Sequence, residues 1–364
     1  MSDTVRVVEQ QPHFFDTFTG REAERMETVM VELDRVPWAQ RVLHEVQQNG
    51  GLIGKNMARF FELRFGHALH KAGIAVEYEV PGEGNSTLDF GFTSRGQPWK
   101  VEMMRLQETQ AAKAATTTEV DNNGTRWIKR ILSSNNEDKT QSTEGETLKA
   151  IERICQKCEL GGKPHKFSKP DKALHAILVD MRTFKDGGDV HDRVHIGLGG
   201  EYVELPYRTY YWGQSKSWKQ ISGVFGPRTE LKGAAEARER VHFIGFLRER
   251  SFQPSEFGEV IQFVANPHLF KDAAAVKAAS DTWPFQPAHI VTGRTPAMIE
   301  PDGTWPRMWR VKLPGGHYSD MVNLTRAKDA ARHLPFLNRT TRETPPPLSE
   351  NNDVLRPKLA EAIT

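Results

Sequence analysis

Two short segments near residue 90 alternate apolar and polar side chains, one on each side of a turn. The first segment covers residues 86–93 and the second covers residues 99–104. The residues between them include Gly96 and Pro98, which favour a tight turn over a continued strand. The pattern therefore predicts a β-hairpin in this part of the chain.

Two acidic side chains lie on the neighbouring strands of this hairpin. One face of the first strand is apolar and consists of Leu88, Phe90 and Phe92. Because successive strand residues face opposite sides, Asp89 faces the other way, and Glu102 shares a face with Lys100 and Met104. Carboxylates among apolar neighbours are costly to bury unless a cation or a proton compensates them. Mg²⁺ is a natural compensator, because one or two protein carboxylates usually suffice to bind it. The alternative is a solvated edge hairpin whose acids face water.

An amphipathic helix and a further strand precede the hairpin. Apolar side chains recur at helical spacing over residues 57–72, and Gly73 is a stop signal for the helix. The apolar stripe consists of Met57, Phe61, Phe65, Ala68 and Ala72. Glu62 lies at the edge of this stripe. Residues 74–80 alternate again and predict a strand, so the order is helix, strand, Asp89 strand and Glu102 strand.

This order of elements, together with its acidic residues, resembles the core of the PD-(D/E)XK nuclease superfamily. The resemblance covers roughly residues 55–185 and extends weakly to residue 270. It implies an α/β fold of the restriction-endonuclease-like type, with a mixed central sheet flanked by helices. It also implies that Asp89 and Glu102 hold Mg²⁺ (or Mn²⁺) and that Glu62 supports the catalytic site. The implied activity is hydrolysis of phosphodiester bonds, with a DNA endonuclease as the favoured form.

The chain departs from the family pattern at one position. The family has a lysine two residues after its second acid, and Met104 stands there in this sequence. Loss of one such group typically costs ~10²–10³ in rate. The residues that could substitute for this lysine are Lys100, Arg105, Gln107 and Lys149. The alternative to an active nuclease is a catalytically inactive protein of the same fold that binds nucleic acid or docks a partner.

Further elements are predicted on both sides of the nuclease-like segment. Helical spacing extends over residues 20–49, with a break or kink at Pro37. A second helix is predicted over residues 144–160, with a stripe of Leu148, Ile151, Cys155 and Cys158. Apolar runs predict further strands at residues 176–180, 241–247 and 260–264. A short strand at residues 309–311 and a helix that begins near Ser319 are predicted closer to the C-terminus.

These elements suggest four regions. The proposed boundaries are an N-terminal helical region at 1–54, a nuclease-like α/β core at 55–283, a small C-terminal α+β extension at 284–338, and an extended or disordered tail at 339–364. The core could bind a polyanion through two basic segments. The first interleaves aromatic and basic residues, a combination that suits stacking on bases and contact with phosphates, and contains Arg208, Trp212, Lys216 and Lys219. The second is a basic loop around Lys166. Ordinary cross-strand pairs and a solvated loop are the respective alternatives.

Two other motifs invite a chemical interpretation and favour a structural one. Cys155 and Cys158 form a C-x-x-C motif upstream of His165, but they continue an apolar helical stripe, where cysteine behaves as a small hydrophobic residue. Core packing is therefore favoured over a zinc or redox site. The glycine cluster at residues 196–200 lacks the spacing of a nucleotide-binding loop and is interpreted as a turn.

Composition restricts the class of protein but not its partner. The chain has 364 residues, two cysteines and a net charge of +2. No apolar run approaches the ~18 residues needed to span a bilayer, and the first residues lack the apolar core of a secretory signal. So few cysteines argue against a disulfide framework, and we expect a cytoplasmic protein without membrane contact. A net charge near zero neither requires nor excludes nucleic acid, and the resemblance is compatible with a homodimer or a larger defence complex.

Overall fold

A seven-stranded mixed sheet forms the centre of the part of the chain that the structure describes. The computed structural model describes residues 18–107, 109–114, 116–120, 126–130, 143–159, 166–184, 188, 190–201, 220–226, 231–247, 252, 257–287 and 289–292. The strands of the sheet are β1 (Val76–Pro81), β2 (Thr87–Ser94), β3 (Gln97–Arg105), β6 (Leu174–Asp180), β9 (Phe243–Leu247), β10 (Gln262–Ala265) and β11 (His289–Thr292). Two short antiparallel pairs lie outside it, β4 (Thr116–Val120) with β5 (Arg126–Arg130) and β7 (Gly199–Glu201) with β8 (Gln220–Ser222).

The sheet combines parallel and antiparallel pairs. Its strand order is β1-β2-β3-β6-β9-β10-β11. The first three strands pair antiparallel, β3, β6 and β9 run parallel, β10 is antiparallel to β9, and β11 is parallel to β10. The parallel strands β3 and β6 are joined by a crossover that contains a helix, as parallel neighbours require. The prediction of a mixed α/β fold with a central sheet is confirmed.

Helices cover both faces of the sheet. The helices in the described part of the chain are α1 (Gly20–Leu33), α2 (Gln40–Gln48), α3 (Met57–Lys71), α4 (Gln110–Ala114), α5 (Thr143–Gln156), α6 (Val190–Leu198), α7 (Lys232–Arg240) and α8 (Ala273–Ser280). Buried side chains of α5, α6 and α7 pack on one face of the sheet and form what we call the α5 cluster. Side chains of α3 pack on the other face with Trp283 and form the α3 cluster. The outer side of α3 packs against α1 and α2 in a third cluster.

The described part of the N-terminal region starts with a capped helix, and the helical run is interrupted at Pro37, as predicted. Thr19 caps α1, because its hydroxyl accepts a hydrogen bond from the Glu22 backbone while the Glu22 carboxylate accepts one from the Thr19 backbone. Residues 37–39 form a single 3₁₀ turn that starts at Pro37 and separates α1 from α2. Proline cannot donate a backbone hydrogen bond, so it is tolerated at the first position of a helix but not in its interior.

The predicted hairpin is present as β2 and β3. Its turn residues Arg95 and Gly96 have φ values of 50° and 79°, which is the pattern of the tight turn that suits the twist of two paired strands. The prediction that Leu88 shares a face with Phe90 and Phe92 is wrong, because Leu88 packs in the α5 cluster and the two phenylalanines pack in the α3 cluster. The strand therefore changes face at Asp89.

A matching change of face occurs in the neighbouring strand. Tyr78 pairs with Phe90 and Val80 pairs with Leu88, so the register places Glu79 opposite Asp89. Glu79 has a φ of 55°, a left-handed conformation that is rare for a residue with a side chain. Local strain of this kind is often found at functional sites. Here it lies where the side chains of β1 and β2 both change from one face of the sheet to the other.

The helix predicted over residues 144–160 is α5, which ends at Gln156. Cys155 and Cys158 are free and buried, and burial raises the pKa of both thiols, that of Cys155 to about 12. Core packing of the pair is thus confirmed. The expected place of Leu148 on the same stripe is wrong, since this side chain is 45% exposed, and Ile154 faces the core instead.

Several elements were not predicted from the sequence. Helices α6, α7 and α8 are short, and α7 is rich in charged residues, so none has a long amphipathic pattern. The glycine cluster divides between the end of α6 and the start of β7, with Gly199 at a φ of 74°. The elements expected at residues 309–311 and from Ser319, and the tail, lie outside the described residues. In the part of the chain that is described, no helix is long and apolar enough to cross a membrane.

Candidate active site

The site lies where β2 and β3 separate. The two strands pair from Phe90 opposite Val101 up to the turn, whereas Leu88 pairs with β1. Asp89 stands at the point of separation, and by the register it lies opposite Glu102. Its Oδ2 accepts a hydrogen bond of 2.6 Å from the backbone N–H of Met103. The carboxylate thereby satisfies a backbone donor at the end of the strand pair.

Glu102 is the most deeply buried acid of the site, with its side chain 1% exposed. Its Oε1 accepts hydrogen bonds from two ammonium groups, Lys157 Nζ at 2.9 Å and Lys166 Nζ at 2.6 Å. Its Oε2 is buried and has no hydrogen-bond partner. A buried carboxylate needs compensating charge, and the two lysines supply it at one oxygen while the other oxygen keeps its capacity to accept a ligand.

Lys157 follows directly on the last residue of α5. Its backbone N–H still bonds to the carbonyl groups of Arg153 and Ile154, so the final turn of the helix fixes the position of the side chain. The C-terminus of a helix carries partial negative charge and favours a cation there. The Lys157 side chain is 37% exposed, which leaves it accessible to a ligand from solvent.

Lys166 belongs to a segment that is held at both of its backbone groups. Its N–H donates to the carbonyl of Cys158 at 3.0 Å. Its carbonyl accepts from Ser86 Oγ at 2.6 Å and from the backbone N–H of Glu83 at 2.9 Å. A Cβ atom at Gly82 would lie 2.3 Å from the same carbonyl oxygen, so only glycine fits there. The turn between β1 and β2 therefore fixes the residue that bonds Glu102.

Glu62 reaches the site from α3, on the opposite side of the sheet. Tyr78 Oη donates to its Oε2 at 2.7 Å, and Arg59 Nη1 donates to both oxygens at 2.9 Å and 3.0 Å. Burial raises the pKa of Glu62, although the charge of Arg59 and the hydroxyl of Tyr78 partly offset this effect. The charge of Glu62 acts on Asp89, so the acid of α3 belongs to the same electrostatic cluster.

The acids interact electrostatically. Burial, followed by the charges of Glu102 and Glu62, raises the pKa of Asp89 to about 7. Burial alone would lower the pKa of Lys157, but the negative charges of the site, Glu102 first among them, outweigh burial and raise it. Closely spaced carboxylates that resist simultaneous ionisation are typical of sites that bind cations or move protons.

Met104 does not take part in this cluster. It is 8% exposed and packs in the α5 cluster. The four residues considered as substitutes for a lysine at this position lie elsewhere. Lys100 Nζ donates to the carbonyl of Pro81 at 2.8 Å, Arg105 approaches Asp180 at 3.6 Å, Lys149 is exposed, and Gln107 accepts from Arg153 through its carbonyl.

Lys157 and Lys166, rather than those four residues, contact Glu102. Lys166 was predicted to bind nucleic acid as part of a basic loop, and the structure places it against Glu102. Lys157 was not predicted at all. The sequence indicates only that it lies between two core cysteines at the end of a helix. Which residues this helix end approaches is determined by the tertiary structure. The other predicted nucleic-acid contacts, Arg208, Trp212, Lys216 and Lys219, lie outside the described residues, as does His165.

The donor set suits a hard divalent cation with few protein ligands. Asp89 and Glu102 offer carboxylate oxygens, and the buried Oε2 of Glu102 has no hydrogen-bond partner. Among the residues with described coordinates, no group of three or more His, Cys, Asp and Glu side chains could hold a metal ion. Mg²⁺ is commonly bound through one or two carboxylates with water at its remaining positions, so a site of two carboxylates is chemically sufficient.

The fold and the site together define a mixed α/β protein with a buried cluster of carboxylates and lysines at the point where two central strands separate. Comparison with protein-family models, with curated proteins and with solved structures finds no match for this chain.

Proposed function

We propose that this protein is a metal-dependent nuclease with a PD-(D/E)XK-like, restriction-endonuclease-like fold, and that it cleaves DNA internally. One observation carries the proposal. Glu102 binds two lysine ammonium groups through one oxygen, beside Asp89, whose pKa is raised to about 7. Two acids can hold a divalent cation, and a fixed ammonium group can stabilise negative charge that develops on a phosphate.

The acids have distinct roles in this proposal. Asp89 and the Oε2 of Glu102 would hold Mg²⁺ or Mn²⁺. When bound, the ion polarises the scissile phosphate and lowers the pKa of the attacking water. Glu62 keeps its orientation through Arg59 and Tyr78 and adds negative charge that favours a cation at the site.

The lysines supply positive charge toward the substrate. The side chain of Lys166 is 17% exposed and that of Lys157 is 37% exposed. Both are therefore partly buried and still accessible from solvent. An ammonium group fixed before the substrate arrives stabilises developing negative charge on a phosphate without reorganisation. In this role Lys166 replaces the lysine that the family would have at Met104.

A catalytically inactive, nucleic-acid-binding protein is the second candidate. Its support was the absence of a lysine at position 104, and the lysine pair beside Glu102 weakens that support. The distinction is between two measurable properties, cleavage and binding, because an inactive protein of this fold would keep its contacts with nucleic acid.

Cleavage of circular and linear DNA by the purified protein with Mg²⁺ or Mn²⁺ tests the proposal. We expect wild-type protein to nick or cut circular DNA, and Asp89→Ala and Glu102→Ala to lose at least ~10² in rate while they remain folded by circular dichroism. Binding of DNA by wild type without cleavage under either metal, and equal binding by both variants, would favour the inactive alternative. Cleavage of RNA but not DNA would change the substrate and leave the chemistry in place.

A further inference from the structure

Helix α7 touches both segments that carry the lysines of the site. Its first turn lies so close to the end of α5 that a Cβ atom at Gly233 would lie 1.8 Å from the carbonyl oxygen of Cys155. The Gly233 N–H also donates to Glu159 Oε1 at 3.0 Å. This contact fixes α7 against the turn that contains Lys157.

The opposite end of α7 holds the segment of Lys166. Glu236 is buried, and its Oε1 accepts a hydrogen bond of 3.0 Å from the backbone N–H of Phe167. One turn later, Arg240 Nη1 donates to the carbonyl of Phe167 and lies 3.4 Å from Glu83 in the turn between β1 and β2. Both backbone groups of Phe167 are thus bound to side chains of one helix.

Burial of the Glu236 carboxyl is energetically unfavourable for a contact with only a structural role. Glu236 Oε2 is buried and has no hydrogen-bond partner, and Arg240 Nη1 lies 4.0 Å from the Oε1 of Glu236. Burial raises the pKa of Glu236 to about 7, although the backbone amide of Phe167 and the charge of Arg240 oppose this effect. An apolar side chain would avoid the cost of burying this carboxyl. The position of the bound backbone, next to Lys166, supplies a reason for its presence.

We propose that Glu236 is a positioning residue, which holds the Phe167 backbone so that the Lys166 ammonium group stays on Glu102. The residue touches neither substrate nor metal ligand and acts through the peptide that follows Lys166. The expected effect of Glu236 on the cleavage rate rests on the proposed nuclease function. The expected effect of Glu236 on the position of Lys166 is independent of that function.

Two measurements on the full-length protein test the proposal. The first is the rate at which an amine-acylating reagent modifies Lys166 at pH 8, measured by mass spectrometry of peptides, with Lys157 as the internal reference. The second is a comparison of kcat and KM for DNA cleavage. The variants are Glu236→Ala, Glu236→Gln and, as a matched control on the exposed side of the same helix, Glu239→Ala.

We expect Glu236→Ala to raise the modification rate of Lys166 about tenfold relative to that of Lys157. We expect kcat to fall by roughly 10–100-fold, as for other residues that orient a functional group, with KM within about twofold. Glu236→Gln keeps a side-chain oxygen for the Phe167 N–H and should restore both quantities to near wild type. Glu239→Ala should change neither.

Two results would overturn the proposal. One is an unchanged modification rate for Lys166 in Glu236→Ala. The other is an equal rise for Lys157 and Lys166 together with a lower melting temperature, which shows general loosening and a merely structural role. Absence of cleavage by the wild type would refute the proposed function alone, because the modification rates decide the positioning role without it.

Discussion

Glu102 carries two ammonium groups on one carboxylate oxygen and keeps a second oxygen without a hydrogen bond. Asp89, across the strand pair, has a pKa raised to about 7 by burial and by the neighbouring acids. At the scale of single residues the site is therefore held in a balance in which Asp89 favours a proton and the Oε2 of Glu102 can accept a ligand. This balance links activity to stability, since groups arranged for function often lower the stability of the fold.

Replacement of Asp89 by Asn should abolish cleavage and stabilise the metal-free protein at pH 8. The folded pKa of about 7 lies above the ordinary value of 3.8, so the stability that this carboxyl contributes is fully present below about pH 4 and is lost as pH rises through 7. A neutral Asn avoids that loss, which has an upper bound of roughly 4 kcal/mol. Its side-chain oxygen can still accept from the Met103 N–H.

Chemical unfolding of wild type and Asp89→Asn at pH 5 and pH 8, with and without Mg²⁺, checks this prediction. The gain in the free energy of unfolding should be larger at pH 8 than at pH 5. Mg²⁺ should stabilise wild type more than the variant, because a ligand that binds only the folded state adds its binding free energy. Equal stability of the two proteins under all four conditions would show that Asp89 does not experience the neighbouring charges.

Loss of Lys166 should reduce cleavage more than loss of any other lysine in its segment. We expect Lys166→Ala to lower the rate by ~10²–10³, as for removal of one preorganised charge-stabilising group. Lys169 lies three residues away and is exposed, so Lys169→Ala is the matched control and should cut DNA as wild type does. Initial rates at saturating DNA give the comparison, and equal loss in both variants would indicate that the loop acts only by general electrostatic attraction.

At the scale of elements, the end of one helix positions Lys157 at the site, and one turn positions Lys166 there. Helix α5 ends at Gln156 and brings Lys157 to the site, and the turn between β1 and β2 binds the backbone of Lys166. Neither element contains a metal ligand. Activity should therefore be sensitive to changes in these elements that leave every acid in place.

Gly82→Ala should displace Lys166 from the site, although Gly82 itself is not part of the site. The new methyl group would lie 2.3 Å from both the Lys166 carbonyl oxygen and Ser86 Oγ, so the segment of Lys166 must move. Overpacking of this kind typically costs 1–3 kcal/mol, and we expect a loss of stability together with a loss of cleavage. A Cβ atom added at Gly20 would meet no atom within 4 Å, and Gly20→Ala is the control. Thermal melting and DNA cleavage measure the two effects, and wild-type behaviour of Gly82→Ala would contradict the tight contact.

At the scale of the whole molecule, the sheet has a packed cluster on each face. A buried pair of histidines lies where the central strands β6 and β9 begin. The backbone N–H of His175 donates to His242 Nδ1 at 3.0 Å, and His175 Nδ1 bonds to the carbonyl of Arg240. Burial lowers the pKa of His175 to about 4 and that of His242 to about 3. Both rings are thus neutral in the folded protein at physiological pH.

The histidine pair should make the fold sensitive to acid. A lowered folded pKa means that the unfolded chain binds more protons, so stability falls as pH drops from about 6.5 toward the folded value. Asp89 and Glu236 act in the opposite direction over pH 4–7, because their pKa values are raised to about 7. A comparison with His242→Asn isolates the histidine effect, since Asn keeps an acceptor for the His175 N–H.

We expect His242→Asn to be less stable than wild type at pH 7, where the ring loses its contact with Phe270. Between pH 6.5 and pH 4 it should lose less stability than wild type, by an amount on the order of 3 kcal/mol. Urea unfolding across this pH range checks the difference in slope. Parallel pH profiles for the two proteins would mean that the pKa of His242 is the same in the folded and unfolded states.

Local patterns in the sequence predict most of the helices and strands that carry the acids of the site. The alternation around Asp89 and Glu102 predicts the hairpin, helical spacing predicts α3 with Glu62 at its edge, and buried cysteines identify the core side of α5. These signals are readable because strand and helix periods are properties of neighbouring residues. The short helices α6, α7 and α8 escape prediction because their few turns depend on tertiary packing rather than on an amphipathic repeat.

Only the tertiary structure decides which groups meet at the site. Lys157 and Lys166 are 55 and 64 residues from Glu102 along the chain, and no periodicity relates them to it. Leu88 and Phe90 pack on different faces, next to the left-handed residue Glu79, which strict alternation does not predict. Strand and helix patterns are set within a few residues, whereas the neutralisation of a buried carboxylate depends on which distant segments the fold brings beside it.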